Sequence, residues 1–173
     1  TKIAIPVEYD MLTTIIEKEP VVSNYVVKAS KDCFFEKDKC SVFFPAGTFY
    51  NDFNLNFDAK NGVLTVHDDT VPAHTNFTIS IENDSFSLGQ KDKVFIGRID
   101  GGRVSYNTTR KKDNVYEIRV KTLGQYKLVL DTIAPVIKIA KSIEGKRLDS
   151  QKRLQVSISD GMSGIKSYNG YLN

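Results

Sequence analysis

The sequence predicts an all-β protein: an antiparallel β-sandwich followed by an Ig-like β module that is truncated. Three observations carry this expectation. Apolar and polar residues alternate with a period of two in Phe53-Asn54-Leu55-Asn56-Phe57 and Phe77-Thr78-Ile79-Ser80-Ile81. The same alternation recurs in the sets Tyr116/Ile118/Val120, Tyr126/Leu128/Leu130 and Leu154/Val156/Ile158. One dry face and one wet face are the mark of half-buried antiparallel strands. Turn-forming residues fall between these runs, and helical character is confined to Met11 to Glu19, where Thr13-Thr14-Ile15-Ile16 weakens it.

Taken in order, Val21 to Lys28 reads as the first strand. A short apolar arm from Cys33, a charged tip and a second arm, Val42-Phe43-Phe44, read as a hairpin. If Cys33 and Cys40 face each other across it, they form a disulfide in an oxidising compartment; two free thiols are the alternative. A zinc site needs four ligands, and these two cysteines have no neighbouring histidine or further cysteine. Asn61-Gly62 joins the strand ending near Ala59 to Val63–His67, a strong hairpin signal. Phe77 to Ile81 follows. Gly101-Gly102 separates Lys93–Ile99 from Arg103–Thr108. Arg110-Lys111-Lys112-Asp113-Asn114 reads as a solvated hairpin tip before the strand around Tyr116 to Lys121, and Tyr126 to Leu130 completes the sandwich.

A boundary lies at Asp131-Thr132-Ile133-Ala134-Pro135, because proline extends its neighbour and cannot donate to a ladder. Beyond it, strands are expected at Val136–Ala140, Leu154–Ser159 and Ile165–Leu172, with a turn at Ser159 to Gly164. About three strands lie near the lower limit for an independent core. The module is therefore expected to be completed by a continuation or by strands from a partner.

The 173 residues carry 24 Lys+Arg, 21 Asp+Glu and 2 His, a formal net charge of +3. With 40% hydrophobic and 26% charged residues, the composition excludes a disordered tail, a collagen-like chain and a strongly basic nucleic-acid arm. No apolar run approaches the ~18 residues that span a bilayer as a helix. The N-terminal Thr1-Lys2-Ile3-Ala4-Ile5-Pro6 is not a signal peptide, and the start without Met points to a processed piece of a longer protein.

Few residues suggest chemistry. His67, beside Asp68-Asp69, is a metal-ligand or general-base candidate, read against a plain histidine at a strand end. His74 follows Val71-Pro72-Ala73 in a loop. The chain has no His-x-x-x-Asp, His-x-His, Gly-x-Ser-x-Gly or phosphate-binding glycine loop, so no catalytic and no metal residue is assigned. Asp68-Asp69, Asn83-Asp84 and Asp160 sit at expected strand ends, where calcium sites of sandwich domains form, but Asx residues also favour turns. A calcium-stiffened junction using Asp131 and Asp160 is a further reading. Arg110 to Lys112 offers contact to a polyanion or a solvated tip. Asn76, Asn83 and Asn107 begin sequons that chance accounts for in a chain of this composition. A flat row of Tyr50, Tyr106, Tyr168 and Tyr171 would suit stacking on sugar rings; the alternative places most of them in the core or at seams.

Val42-Phe43-Phe44-Pro45-Ala46-Gly47-Thr48-Phe49-Tyr50, the run from Val63 to Pro72, and Asn76-Phe77-Thr78-Ile79 together resemble a known region, as do Tyr106 to Lys111 and Thr122-Leu123-Gly124-Gln125-Tyr126. It is the C-terminal, non-catalytic part of lysostaphin-like zinc metallopeptidases of Bacteroidetes-type bacteria. Asp131 to Pro135 and Ile158 to Tyr168 look like the start of its last Ig-like module. The resemblance implies three units: residues 1–8 as the last strand of a preceding Ig-like module, 9–131 as the central sandwich, and 132–173 as the beginning of a second module that continues further. It also implies that zinc and the peptidoglycan-cutting machinery belong to a peptidase domain N-terminal to this region. This chain is then no enzyme and holds no cofactor of its own. Its partners would be that peptidase domain and peptidoglycan or an envelope protein, with neither nucleic acid nor a membrane-spanning segment. Its place would be the cell envelope, in the periplasm or on the outer surface, or outside the cell. A stand-alone extracellular adhesion or carbohydrate-binding sandwich is the alternative.

Overall fold

In the computed structural model the described residues are 23–139, 155–165 and 167–171. The expected strand at residues 1–8 and the helical stretch at Met11 to Glu19 lie outside them. The fold is all-β. The strands are β1 (Val26–Val27), β2 (Cys33–Lys37), β3 (Cys40–Phe44), β4 (Phe53–Asn54), β5 (Phe57–Lys60), β6 (Val63–Val66) and β7 (Phe77–Glu82). They continue as β8 (Val94–Asp100), β9 (Arg103–Tyr106), β10 (Arg110–Lys112), β11 (Val115–Val120), β12 (Gly124–Leu130), β13 (Val136–Ile139) and β14 (Val156–Ser159).

Two five-stranded antiparallel sheets form the sandwich, in the orders β10-β11-β7-β3-β2 and β5-β6-β12-β8-β9; β1-β4 and β13-β14 are two-stranded. The alternation in sequence explains which side chains meet. The first sheet turns Val42, Phe44, Phe77, Ile79, Ile81, Tyr116 and Ile118 inward. The second turns Phe57, Leu64, Val66, Val94, Ile96 and Tyr126 against them. Edge-to-face ring pairs knit the middle, with Phe44 lying 5.1 Å from Phe49 and 5.0 Å from Phe77. Lys37 of β2 and Lys60 of β5 both reach Asp58, which closes the open side between the two edge strands.

Turn chemistry sets the register. Lys60 pairs with Val63 across Asn61-Gly62, whose φ values of 51° and 74° are those of a type I′ turn. Gly101-Gly102 does the same between Asp100 and Arg103.

Several expectations need correction. The alternating run Phe53 to Phe57 is not one strand. Phe53 and Asn54 pair with Val27 and Val26, the Leu55 N–H donates to Tyr25 O, and only from Phe57 does the chain pair with β6. The run therefore crosses from one small sheet to the main one while its alternation stays intact. The basic run is not a hairpin tip. Arg110 to Lys112 form edge strand β10, paired with Val115 to Glu117, and the turn is Asp113-Asn114, with Asp113 at φ 54°. Charged side chains on an edge strand discourage further pairing. Leu88–Lys93 forms a 3₁₀ helix that the period-two pattern does not announce. In the C-terminal segment, β13 and β14 pair as expected, but the described residues from Ile165 to Tyr171 form no strand.

The cysteine pairing is also corrected. Cys33 lies opposite Phe44, and Cys40 lies opposite Lys37. The two cysteines point to the same face but stand four positions apart in register, roughly 13 Å at about 3.3 Å per residue. A disulfide needs Cα atoms within about 7 Å. Both are free thiols.

Candidate functional site

The sequence-level candidates separate into turn-builders and surfaces. His67 ends β6 with φ 55°. Its N–H donates to Asn56 O at 2.6 Å, and its Nδ1 accepts the Asn56 N–H at 3.1 Å. The imidazole thus stands in for the carbonyl that would continue the ladder, and the ring packs 5.1 Å from Phe53. With Nδ1 accepting, the ring proton of the neutral form sits on Nε2. This is a half-buried structural histidine at the end of the strand.

His67 borders a groove of about 370 Å³ with Asn56, Asp69, Arg98, Gly124 and Gln125 in its wall. Arg98 points inward from β8, and its guanidinium donates to Asp69 at 3.0 Å, with Asp100 at 3.8 Å. The cation is matched by carboxylates, so the groove offers no excess charge to an anionic ligand. His74 is held elsewhere. Its Nδ1 shares a hydrogen bond of 3.0 Å with the exposed Tyr50 hydroxyl, and its N–H donates to Thr48 O.

The acidic residues are spent on turns and junctions. Asp68 accepts from the Thr70 N–H and hydroxyl. Asn83 accepts from the Ser85 and Phe86 N–H groups and donates to Phe86 O. These are Asx turns, the local alternative to a metal site. Among the described residues, no three of His, Cys, Asp and Glu gather in a group able to hold a metal ion. Asn83 is buried with its amide engaged, which closes that sequon. The Asn107 amide donates to Ile96 O, while Asn76 is exposed.

Asp131 is the most elaborated acid. Buried just after β12, it donates its N–H to Lys93 O at 2.8 Å. Its carboxylate accepts from the N–H groups of Ile133 at 2.8 Å and Ser163 at 3.0 Å, and from the Ser163 hydroxyl. The Ser163 hydroxyl bond, more than any other contact, holds its pKa below the ordinary carboxylate value. Asp160 shapes the same loop by accepting from the Met162 and Gly164 N–H groups. Both acids named for a calcium junction thus accept local backbone N–H bonds.

The four tyrosines do not form one row. Tyr50 lies in a loop against His74, Tyr106 packs on Phe95 of the second sheet at 5.1 Å, and Tyr168 and Tyr171 follow β14. The exposed aromatic pair of a sheet face is instead Phe34 and Phe43, directly opposite each other in β2 and β3. Composition alone does not single them out, because a Phe-Phe doublet in an apolar arm reads as core. The available signal was period two itself, which permits only one phenylalanine of each doublet to face inward.

In β2 and β3 the inward residues include Phe35 and Phe44. Buried Cys40 lies at the other end of the hairpin, and burial pushes its thiol up to about 11, away from nucleophilic use at neutral pH.

Comparison with known proteins adds one family. The profile of the Zu5-like domain matches residues 24–131. Neither a curated protein nor a solved structure matches the chain.

Proposed function

The chain belongs to the Zu5-like domain family, and we propose, on the resemblance in its sequence, that it is a non-catalytic accessory region of a bacterial cell-envelope zinc metallopeptidase acting on peptidoglycan. Its work is to hold the segment beyond Asp131 in a set orientation, as a stiff spacer. The family resemblance in the sequence motivates the envelope setting; zinc and bond cleavage belong on this reading to the peptidase domain.

One observation carries the spacer role: the Asp131 clamp. A loose tether needs no buried carboxylate. Here one side chain ties β12, the start of the linker at Ile133 and the Ser163 loop beyond β14. Charge-assisted bonds of this kind are stronger than neutral ones, and three on one carboxylate restrict how the two parts can swing.

Nitrogen-15 relaxation on the full chain tests this. One shared tumbling time for the sandwich and for β13–β14 is the expected result, and Asp131→Ala should separate the two. Independent tumbling in the wild type would sink the spacer role. The second reading, a carbohydrate-binding sandwich, draws support from the exposed Phe34–Phe43 pair.

A further inference from the structure

The outer face of the β10-β11-β7-β3-β2 sheet carries two large rings that core packing does not explain. Phe34 is 59% exposed and Phe43 37%, and they are cross-strand partners on one end of the face. The strand registers extend this pair into a row: Phe34 opposite Phe43, Phe43 opposite Thr78, Thr78 opposite Arg119. The adjacent row runs Glu36, Ser41, Ser80, Glu117, Arg110. A third holds Glu82, Val115 and Lys112. Neighbouring strands are about 4.8 Å apart. The face is thus a grid with Phe34, Phe43 and Glu36 toward the β2 edge, Thr78, Ser80 and Glu82 in the middle, and Glu117, Arg119, Arg110 and Lys112 toward the β10 edge.

We infer that this face is a glycan-binding platform for an extended chain of uncharged pyranose sugars. The composition selects that occupant. Glu36, Glu82 and Glu117 balance Arg110, Lys112 and Arg119, so the face has no net charge with which to hold a polyanion. A purely apolar partner would strip water from Ser41, Thr78, Ser80 and the charged groups without replacing their hydrogen bonds. A sugar ring presents a C–H face that stacks on Phe34 and Phe43, and hydroxyls at its rim that suit short hydroxyls, carboxylates and guanidinium forks. The inference rests on the accessory-region reading only for which glycan the chain meets; the Asp131 clamp plays no part in it.

The test is a two-dimensional NMR titration of the full chain with chitotetraose, a peptide-free N-acetylglucosamine oligomer, beside sedimentation with intact peptidoglycan. Saturable binding is expected, with shifts centred on Phe34, Ser41, Phe43, Thr78 and Ser80. The double variant Phe34→Ala/Phe43→Ala should weaken it about tenfold or more, since aromatic anchors dominate such contacts, and should lower the unfolding midpoint only by the loss of one partly exposed cross-strand pair. If that variant misfolds, Thr78→Lys keeps both rings, crowds the middle of the grid and should cost affinity similarly. Asp131→Ala should leave glycan affinity unchanged, which separates this inference from the spacer role. The proposal is overturned by no shifts at millimolar sugar, by shifts centred elsewhere, by variants that bind like the wild type, or by retention on peptidoglycan without binding to chitotetraose.

Discussion

At the scale of single residues, His67 is the clearest case of a side chain whose role depends on its backbone. Its φ of 55° turns the chain out of β6, and its Nδ1 takes the Asn56 N–H at 3.1 Å. His67→Ala removes the acceptor and leaves that N–H to find water. The expected cost is about 1–2 kcal/mol, read as a lower urea midpoint; an unchanged midpoint would refute the acceptor role. Asp58 offers a pH test. Hydrogen bonds from Lys37 and Lys60 lower its pKa from 3.8 to about 2. A depressed carboxyl contributes stability that is whole above the unfolded value and is lost as pH falls through the folded one. The contribution of Asp58 therefore fades between pH 3.8 and about 2. Lys37→Met should raise its NMR titration midpoint toward the ordinary value; an unmoved midpoint would show that Lys37 does not set it. Neither role was legible in sequence. His67 and Asp68-Asp69 look like a metal cluster as letters, whereas the structure ties Asp69 to Arg98 and His67 to Asn56.

At the scale of elements, the hairpins were the most legible feature, because Asn61-Gly62 and Gly101-Gly102 supply the positive φ values that two-residue turns need. Strand β8 shows where alternation stops informing. Val94, Phe95, Ile96 and Gly97 are all buried, since Val104, Tyr106 and Val129 cover the outer face as the core covers the inner one. Gly97 makes this possible. A Cβ there would come within 2.3 Å of Val104 Cγ1 and 3.2 Å of Val129 Cγ2. Gly97→Ala should destabilise by about 1–3 kcal/mol through overpacking, and Val104→Ala should recover part of the loss. Calorimetric melting of the single and double variants checks this; additive losses would mean the contact is not the cause. The basic run became edge strand β10 because Tyr116 offers Lys111 a ring at 5.8 Å, and Lys91 and Asp92 offer it carbonyls. Those contacts bridge sequence distances that a local reading does not see.

At the scale of the molecule, the Asp131–Ser163 bonds join residues 32 positions apart. Because the Asp131 pKa lies below its ordinary value, the charge-assisted bonds of the clamp are at full strength at neutral pH, and they weaken as pH falls through that lowered pKa. Small-angle scattering on an acid series should show the chain lengthening in that range, while Asp131→Ala should be long already at neutral pH. A wild-type profile that does not change with pH would separate the clamp from the charge on Asp131. The aromatic platform is also a property of the whole sheet. Phe34, Thr78 and Arg119 come from three strands, and their row exists only because β7 pairs with both β3 and β11.

The class of fold, the tight hairpins and most inward-facing residues can be read directly from the order of the amino acids. These follow from local alternation, from the conformational needs of glycine and asparagine, and from the pull of apolar side chains out of water. The tertiary structure alone decided that Phe53 to Phe57 changes sheets, that Cys33 and Cys40 stand apart, and that Asp131 meets Ser163. Each of these depends on a strand pairing or contact between distant residues, and nothing in a local pattern of letters encodes that partner.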